Sequence, residues 1–296
     1  RLVNKISGER GASEDWGNGR DLKTNPSPVW KKVERKLEGR SLVVLTDIGV
    51  TGKQMAAMGG RLASTGPWKV HGTPGKFSSK MARVVAGVIV VWDERRFVLE
   101  SKSIILSGRI VQVKLQDVHA GNVITVIGAY MPTRDKADGV IRAAWDIMCD
   151  AVADSEECVV VMGDLNAEGR EQLSDARRRE TLADTRFGDL LECEGLIDVG
   201  PQGPTFVRNG ANTRIDHILV DEALAGSVIR ANNMDGISDC DHTWIEIQVG
   251  RNMRSCPVLK RTVKMPLWEV TADEWLEFAR QTDLQYDEII ARMSSA

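Results

Sequence analysis

The sequence has little of what marks several classes of protein. Its five cysteines are odd in number and none are spaced as Cys-x-x-Cys, which argues against a disulfide framework and against a zinc finger. The longest apolar run, Val84–Trp92, is far shorter than the roughly 20 residues that cross a bilayer. The N-terminus has no basic and then apolar signal segment. We therefore expect a soluble protein inside the cell, in the nucleus or the cytoplasm.

An excess of charge of one sign is also missing, because the formal net charge is only −3 at pH 7. The charge of the whole chain therefore indicates no nucleic-acid partner, although a local basic groove remains compatible with it. The 296 residues, 42% of them hydrophobic, fit one large globular domain or two modest ones. The chain begins at Arg1 rather than Met, which is compatible with a piece of a longer protein.

The middle of the chain carries the pattern of a folded domain. Its short β-branched runs are bounded by Gly, Pro, Asn or Asp, which is typical of strands. These runs are Leu42–Leu45, Val84–Val91, Ile110–Leu115, Val123–Ala129, Cys158–Met162 and Ile215–Val220. Apolar spacings of three and four predict helices over 138–154 and 185–194, the second ending at Gly195. Many strands with few helices between them predict an α+β fold, a layered two-sheet α/β sandwich.

The two ends of the chain differ from this middle part, which we take to be a domain over 41–250. Residues 1–40 are polar and contain a stretch rich in Gly, Asn and Asp, which predicts an irregular segment. Residues 251–264 hold five basic residues and no acidic one, and Thr271–Glu274 then forms a capping box. We expect 251–296 to be a basic linker with an appended helix; the alternative is a basic strip that contacts nucleic acid.

The first polar motif is VVVMGDLNA, residues 159–167, where an apolar strand ends in a glycine. Asp164 and Asn166 follow at the carboxyl edge of that strand, and alternate residues of an extended segment point the same way. A carboxylate can orient or deprotonate a water, and an amide can donate to a phosphate oxygen. The same residues also make good turns, so the motif alone leaves both readings open.

Two further motifs follow it. In TRIDHILV, residues 213–220, strand alternation places Asp216 on the same face as Arg214. A lone buried Asp in a strand is costly unless it is paired, and a salt bridge between Arg214 and a residue nearby is the ordinary alternative to a catalytic role. In SDCDHTWIEIQV, residues 238–249, Asp241 and His242 stand just ahead of a strand, where an imidazole beside a carboxylate can transfer a proton or hold a phosphate. The remaining histidines lack such a setting and are expected to be structural: His71, His119 and His217.

The order of these motifs, Asp-x-Asn, then Arg-Ile-Asp, then Asp-His, resembles the signature of the endonuclease/exonuclease/phosphatase superfamily. That superfamily includes apurinic endonucleases and DNase I-like enzymes. Four more segments are similar to its strands and helices: Ala86–Trp92, Ile124–Thr133, Gly188–Val199 and Pro204–Phe206. The resemblance covers roughly residues 40–250 and implies a four-layer, DNase I-like sandwich.

The resemblance also implies a role for each matching residue. Asp164 would orient or deprotonate the attacking water, while Asn166 and Tyr130 would bind the scissile phosphate. Asp216 would hold the imidazole of His242, which would stabilise the phosphorane or share the role of base. The sequence leaves open whether Asp164 or His242 is the base.

A divalent cation, Mg²⁺ or in its place Mn²⁺, is the cofactor that the resemblance implies. Asp241 would lie at or near the metal. The family normally binds it with a Glu at the end of an early strand, whereas the equivalent strand here, SLVVLTDIGV, offers Asp47. Asp is one methylene shorter, and Mg²⁺ demands near-ideal octahedral contacts. For an earlier Asn of the family pattern, Asn4 is the only candidate.

Within the superfamily, RIDHIL, SDxDHTWI and the compact loop Gly163–Ala167 are most similar to the endonuclease domains of non-LTR retrotransposon polyproteins, which nick target DNA. This implies DNA as a partner, and a downstream reverse transcriptase in the same polyprotein. Two alternatives stay open. One is a sugar- or lipid-phosphate phosphatase on the same fold, for which basic residues such as Arg170 or those at 177–179 would be the mark. The other is a decayed copy that only binds DNA.

Overall fold

The computed structural model describes residues 2–5, 37–79, 83–155, 158–169, 179–208, 211–234 and 241–250. Contacts divide the chain into one unit of Arg1–Val258 and a second of Leu259–Ala296, and every described residue belongs to the first. The linker and helix expected over 251–296, and most of the segment 1–40, lie outside the described residues. Among the helices that are described, none has the length and apolar character needed to cross a membrane.

The strands are, in chain order, β1 (Leu2–Lys5), β2 (Leu42–Thr46), β3 (Trp68–Thr73), β4 (Lys76–Ser78), β5 (Arg83–Val85), β6 (Val88–Asp93), β7 (Phe97–Leu106), β8 (Ile110–Asp117), β9 (Val123–Tyr130), β10 (Cys158–Asp164), β11 (Leu196–Asp198), β12 (Phe206–Arg208), β13 (Ala211–Thr213), β14 (Asp216–Asp221), β15 (Val228–Met234) and β16 (Trp244–Val249). The helices are α1 (Gly52–Thr65), α2 (Asp138–Ala153), α3 (Leu182–Glu194) and α4 (Glu222–Ala225).

Most of these strands form two six-stranded sheets. The first sheet has the order β15-β16-β1-β2-β6-β3, and the second has the order β11-β14-β10-β9-β8-β7. In the second sheet β10 lies between β9, to which it is parallel, and β14, to which it is antiparallel. The short strands β4 with β5 and β12 with β13 form separate two-stranded ladders.

The two sheets pack face to face through alternate residues of their strands. Leu42 and Val44 of β2 lie in one buried cluster with Val160 and Met162 of β10. Successive side chains of a strand point to opposite faces, so the residues between them are left for the outer faces of the sandwich. Burying apolar surface on both faces explains why these strands read as continuous apolar runs.

Helices cover both outer faces. Met58 and Leu62 of α1 pack on the first sheet, and Trp145 of α2 and Phe187 of α3 pack on the second beside Val161. The rings of Trp145 and Phe187 lie 6.3 Å apart, centroid to centroid. The order helix, sheet, sheet, helix is the four-layer α+β sandwich expected from the sequence, and that fold class is confirmed.

Two strand predictions need correction. The single strand expected over Val84–Val91 is two, β5 and β6, because Ala86 and Gly87 adopt positive φ angles of 64° and 101° and break the ladder. The segment 1–40 is not irregular throughout, because Leu2–Lys5 forms β1 between β2 and β16. Its pairing partners are distant in the chain, so the local polar composition conceals it.

The helix predictions were partly confirmed. The helix expected over 138–154 is confirmed as α2, and α3 starts earlier than expected, at Leu182, because Thr181 and Asp184 form a capping box. The helix α1 was missed. Its capping box of Thr51 and Gln54 was the available signal.

Gly195 ends α3 as the sequence predicts, in a left-handed conformation with φ 58°. A Cβ added there would meet nothing within 4 Å, so Gly195→Ala should have only a conformational cost. We expect the free energy of unfolding to fall by about 1–2 kcal/mol, measured by urea denaturation. Gly226 ends α4 with an ordinary φ of −64°, so Gly226→Ala is the matched control and should not destabilise. Equal urea midpoints for the two variants would contradict this account.

Candidate active site

The candidate site forms where neighbouring strands of the second sheet end. Asp164 is the last residue of β10, and the register places it opposite Tyr130, the last residue of β9, and opposite Asp216, the first residue of β14. Three polar side chains of the predicted set therefore stand in adjacent strands at one edge of the sheet. Each residue lies at the end of its strand, and the pairing of β10 with β9 and β14 brings the three strand ends together.

His242 reaches this edge on the segment that leads into β16 of the first sheet. That segment pairs with the chain around Phe206: the amide of Val207 donates to the carbonyl of Asp241, and the amide of Thr243 donates to the carbonyl of Thr205. The hydroxyl of Thr205 also accepts the amide hydrogen of Asp216 at 3.1 Å. A single buried threonine thus connects the backbone of Asp216 with that beside His242. The Phe206 ring meets the His242 ring edge-on, with centroids 4.8 Å apart.

Asp216 and His242 form a direct hydrogen bond. Nδ1 of His242 lies 2.9 Å from Oδ2 of Asp216. A carboxylate only accepts, so Nδ1 donates and the tautomer of the ring is fixed. Asp216 is completely buried and His242 is 7% exposed. The pairing that the resemblance implied is therefore present in the structure.

Asp164 faces this pair. One ligand atom each from Asp164, Asp216 and His242 lie within 4.8 Å of one another. Burial, and then the charge of Asp216, raise the pKa of Asp164 well above its ordinary value, against a smaller opposing effect of His242. Among the described residues, none donates a hydrogen bond to the buried Oδ1 of Asp216. A buried carboxylate oxygen without a partner is costly, which fits a cation or a substrate group at this place.

Asn166 lies in the tight loop that follows β10. Its backbone has φ 49°, its amide donates to Oδ1 of Asp164 at 2.9 Å, and its Nδ2 donates to the carbonyl of Met131 at 2.9 Å. Gly163 must be glycine, because a Cβ there would lie 1.8 Å from the carbonyl oxygen of Ala129. The loop that positions Asp164 and Asn166 is thus tied to the end of β9.

Tyr130 is held at that end of β9 by Arg109. The guanidinium carbon of Arg109 lies 4.7 Å from the centroid of the Tyr130 ring, a cation–π contact. One guanidinium nitrogen also donates to the carbonyls of Tyr130 and Met131, at 3.1 Å and 3.0 Å. The role of Tyr130 in binding phosphate stays a prediction.

The two residues predicted as metal ligands do not belong to the group of three described above. Asp47 follows β2 with φ 46°, and its Oδ1 accepts the amide hydrogen of Ala86 at 2.8 Å. Its charge contributes to the raised pKa of Asp164, so it stands within electrostatic reach of the site. Asp241 is half-buried beside His242. Asn4 pairs in register with Val44 of β2. Their roles toward a metal stay predictions.

Two polar networks lie next to these residues, and of their contacts only an ion pair of Arg214 was predicted. Asp198 of β11 accepts from both Arg214, at 2.6 Å, and Nδ1 of His217, at 2.7 Å. Arg214 was expected on the face of Asp216, but it precedes β14, so strand alternation does not apply to it and it turns to Asp198. The ion pair foreseen for Arg214 does exist. Burial alone would raise the pKa of Asp198, but His217 and then Arg214 outweigh it and lower that pKa to about 2.

The second network involves Glu168, the residue that follows the loop Gly163–Ala167. The amide of Glu168 donates to Oδ1 of Asp184 at 2.7 Å, and Arg134 contacts both carboxylates, at 3.2 Å and 3.1 Å. The capping box of α3 was the available sequence signal for Asp184. Of the basic residues proposed beside the loop, Arg179 is exposed and the others lie outside the described residues.

Comparison with known proteins gives a family match for part of the chain and several solved structures of the same fold. Residues 111–239 match the Endonuclease/Exonuclease/phosphatase family. No curated protein matches the chain. Among solved structures, the 3′ phosphatase NExo from Neisseria, bound to a product DNA hairpin, is 15% identical with a TM-score of 0.60 and covers 84% of this chain and 98% of its own.

Two further structures show the same fold. The endonuclease domain of TRAS1, a telomere-specific non-LTR retrotransposon, is 12% identical with a TM-score of 0.56, covering 84% of this chain and 97% of its own. The AP endonuclease LMAP from Leishmania major is 15% identical with a TM-score of 0.61, covering 83% of this chain and 86% of its own. Residues 111–239 are therefore similar to the Endonuclease/Exonuclease/phosphatase family, and these structures share the fold of the chain, so the resemblance predicted from its motifs is confirmed.

Proposed function

We propose that the protein is a Mg²⁺-dependent DNA endonuclease of the apurinic-endonuclease-like kind, which nicks one strand by hydrolysing a phosphodiester bond. The observation that carries this proposal is the buried pair of Asp216 and His242 with Asp164 facing it. Two carboxylates and an oriented imidazole in one place are the groups that activate a water and stabilise the charge of a phosphate.

The hydrogen bond to Asp216 gives His242 its part in this chemistry. With Nδ1 donating to the carboxylate, Nε2 is the nitrogen that can take up a proton or donate to a phosphate oxygen. Asp164 has a raised pKa, so its carboxylate is a stronger base than an exposed one and is suited to orienting or deprotonating the water. Asn166 and Tyr130 are proposed to hold the phosphate on either side of Asp164.

A divalent cation fits these residues. Asp164 and Asp216 offer carboxylate oxygens, which Mg²⁺ prefers, and Oδ1 of Asp216 lacks another partner among the described residues. When bound, Mg²⁺ would neutralise charge on the phosphate and help to activate water. We propose Asp47 and Asp241 as additional ligands, directly or through water.

The direct test is nicking of supercoiled plasmid by the full chain. We expect conversion to open circles with Mg²⁺ and none with EDTA. A parallel reaction on an oligonucleotide with a 3′-phosphate, and one on an inositol phosphate, measures released phosphate. Phosphate release without nicking would replace the endonuclease proposal with the phosphatase alternative, and DNA binding with neither activity would indicate a decayed copy.

Asp47→Glu tests the metal proposal separately. If Asp47 is a short replacement for a longer carboxylate ligand, Asp47→Glu should hold or raise the nicking rate and lower the Mg²⁺ concentration at half-maximal rate, while Asp47→Ala should raise that concentration. The readout is a Mg²⁺ titration of the nicking rate. If Asp47 serves only to accept the amide hydrogen of Ala86, the two variants should share one Mg²⁺ dependence.

We further propose that the DNA nick prepares target DNA for a reverse transcriptase of the same polyprotein. The motifs similar to retrotransposon endonucleases support this, and the fold shared with the TRAS1 endonuclease domain is compatible with it.

A further inference from the structure

His217 follows Asp216 directly on β14, and the two side chains point to opposite faces of the second sheet. The imidazole of His217 is completely buried and lies against the ring of Phe187, with centroids 4.4 Å apart. Its two nitrogens contact different groups. Nδ1 lies 2.7 Å from Oδ2 of Asp198, and Nε2 lies 3.0 Å from the carbonyl oxygen of Ala167.

Both of those contacts require His217 to donate. The carbonyl of Ala167 can only accept a hydrogen bond, and Asp198, with a pKa of about 2, is an ionised acceptor. Asp198 is itself fixed, because Arg214 contacts it at 2.6 Å and the amide of Gly200 donates to it at 3.1 Å. His217 therefore connects a rigid anchor on one side with a single backbone carbonyl on the other.

That carbonyl belongs to the loop of the candidate site. Ala167 follows Asn166, whose positive φ of 49° is an uncommon backbone conformation for a residue with a side chain. The carboxylate of Asp164 and the amide of Asn166 are held by bonds within the loop and to Met131. At its start the loop is joined to the segment leading into β14 by the amide of Leu165, which donates to the carbonyl of Ile215 at 2.9 Å. The bond from His217 adds a side-chain connection to the far end of the loop, at Ala167.

We propose that His217 is a positioning residue, which uses Asp198 and Arg214 as an anchor to hold Asp164 and Asn166 at the right distance from Asp216 and His242. This inference rests on the proposed nuclease function for its kinetic part. Strand β14 then positions two parts of the site. Asp216, on one face of the strand, orients the imidazole of His242, and His217, on the other face, fixes the loop Gly163–Ala167.

Two substitutions separate the two bonds of His217. The amide nitrogen of glutamine occupies roughly the place of Nε2, and that of asparagine roughly the place of Nδ1. His217→Gln therefore keeps a donor for Ala167 and gives up the contact with Asp198, which Arg214 still satisfies. His217→Asn keeps the contact with Asp198 and leaves the carbonyl of Ala167 without its donor. Each variant removes one of the two hydrogen bonds of His217 and keeps the other, so the difference between them isolates the bond to Ala167.

Amide hydrogen exchange measures the opening of the loop, and the kinetics of plasmid nicking measure its effect on activity. In His217→Asn we expect the amides of 165–168 to exchange about tenfold faster through local opening, and kcat for plasmid nicking to fall by about 10- to 100-fold with little change in KM, as a misplaced catalytic group requires. His217→Gln should stay close to the parent in both measurements.

Equal effects of the two variants on exchange would overturn the proposal, because His217 would then act only by filling space. So would fast local opening of 165–168 in the parent, a measurement that needs no variant. A third outcome separates the two proposals. If His217→Asn exchanges faster than His217→Gln but the parent protein does not nick DNA, the positioning role of His217 is supported and the proposed nuclease function is wrong.

Discussion

His242→Ala should lower the rate of plasmid nicking by about 10²–10⁴, the usual contribution of a positioned acid or base group. The tautomer of the imidazole is fixed by a buried carboxylate, through the 2.9 Å bond to Asp216. Removing it takes away the proton-transfer group and also leaves Asp216 buried without a partner. The rate is measured at saturating Mg²⁺.

Because an unpaired buried carboxylate also destabilises a fold, His242→Asn is the informative companion. Asparagine can still donate to Asp216 but cannot transfer a proton. The nicking rate of His242→Asn should therefore fall as much as that of His242→Ala, while its urea midpoint stays close to that of the parent. Asp216→Asn should cost less rate than either, because the imidazole stays in the site, although it is misoriented, and an amide oxygen replaces one proposed Mg²⁺ ligand. His119→Ala changes an exposed histidine and should have no effect. Undiminished nicking by both His242 variants would remove this residue from the mechanism.

Asp164→Asn should lower the nicking rate by about 10²–10⁴ as well, and should do so while making the protein more stable at neutral pH. Burial and the neighbouring Asp216 raise the pKa of Asp164, so the folded protein holds its neutral form better than the unfolded chain does. Asparagine has nearly the same shape, is always neutral, and can still accept the amide hydrogen of Asn166.

The sign of the pH dependence follows from that direction. A raised pKa in the folded state stabilises the fold fully below the unfolded value of about 4, and that stability is lost as the pH rises through the folded pKa. Urea denaturation in EDTA should therefore give equal midpoints for the parent and Asp164→Asn at low pH. The variant should gain a growing advantage toward pH 8. A variant less stable than the parent at neutral pH would contradict a raised pKa.

The residues of the site were predictable where the signal is local. Asp164, Asn166 and His242 each stand beside an apolar run, and the alternation of a strand shows which side chains share a face. The order of the motifs then gave the resemblance to the superfamily, which the family match over residues 111–239 supports. The break between β5 and β6 was not predictable, because nothing local requires Ala86 to adopt φ 64°.

Side-chain contacts between residues that are distant in the chain were also not predictable from the sequence. Asp198 lies in a short strand whose contacts with Arg214 and His217 depend on the register of β11 with β14. The helix α1 contains Gly59 and Gly60, which lower helix propensity, and only Met58 and Leu62 of it are buried. Its apolar pattern was therefore too sparse to detect without the sheet that it covers.

The candidate site takes its groups from both halves of the sandwich. Asp164 and Asp216 stand on the second sheet, whereas His242 lies on the segment leading into the first. Neither sheet carries all three groups alone, so the proposed nuclease activity depends on the packing of the two sheets as much as on the residues proposed to contact DNA. An expanded state that keeps its strands but loosens the contacts between layers would already be inactive. Activity is thus a sensitive reporter of tertiary assembly.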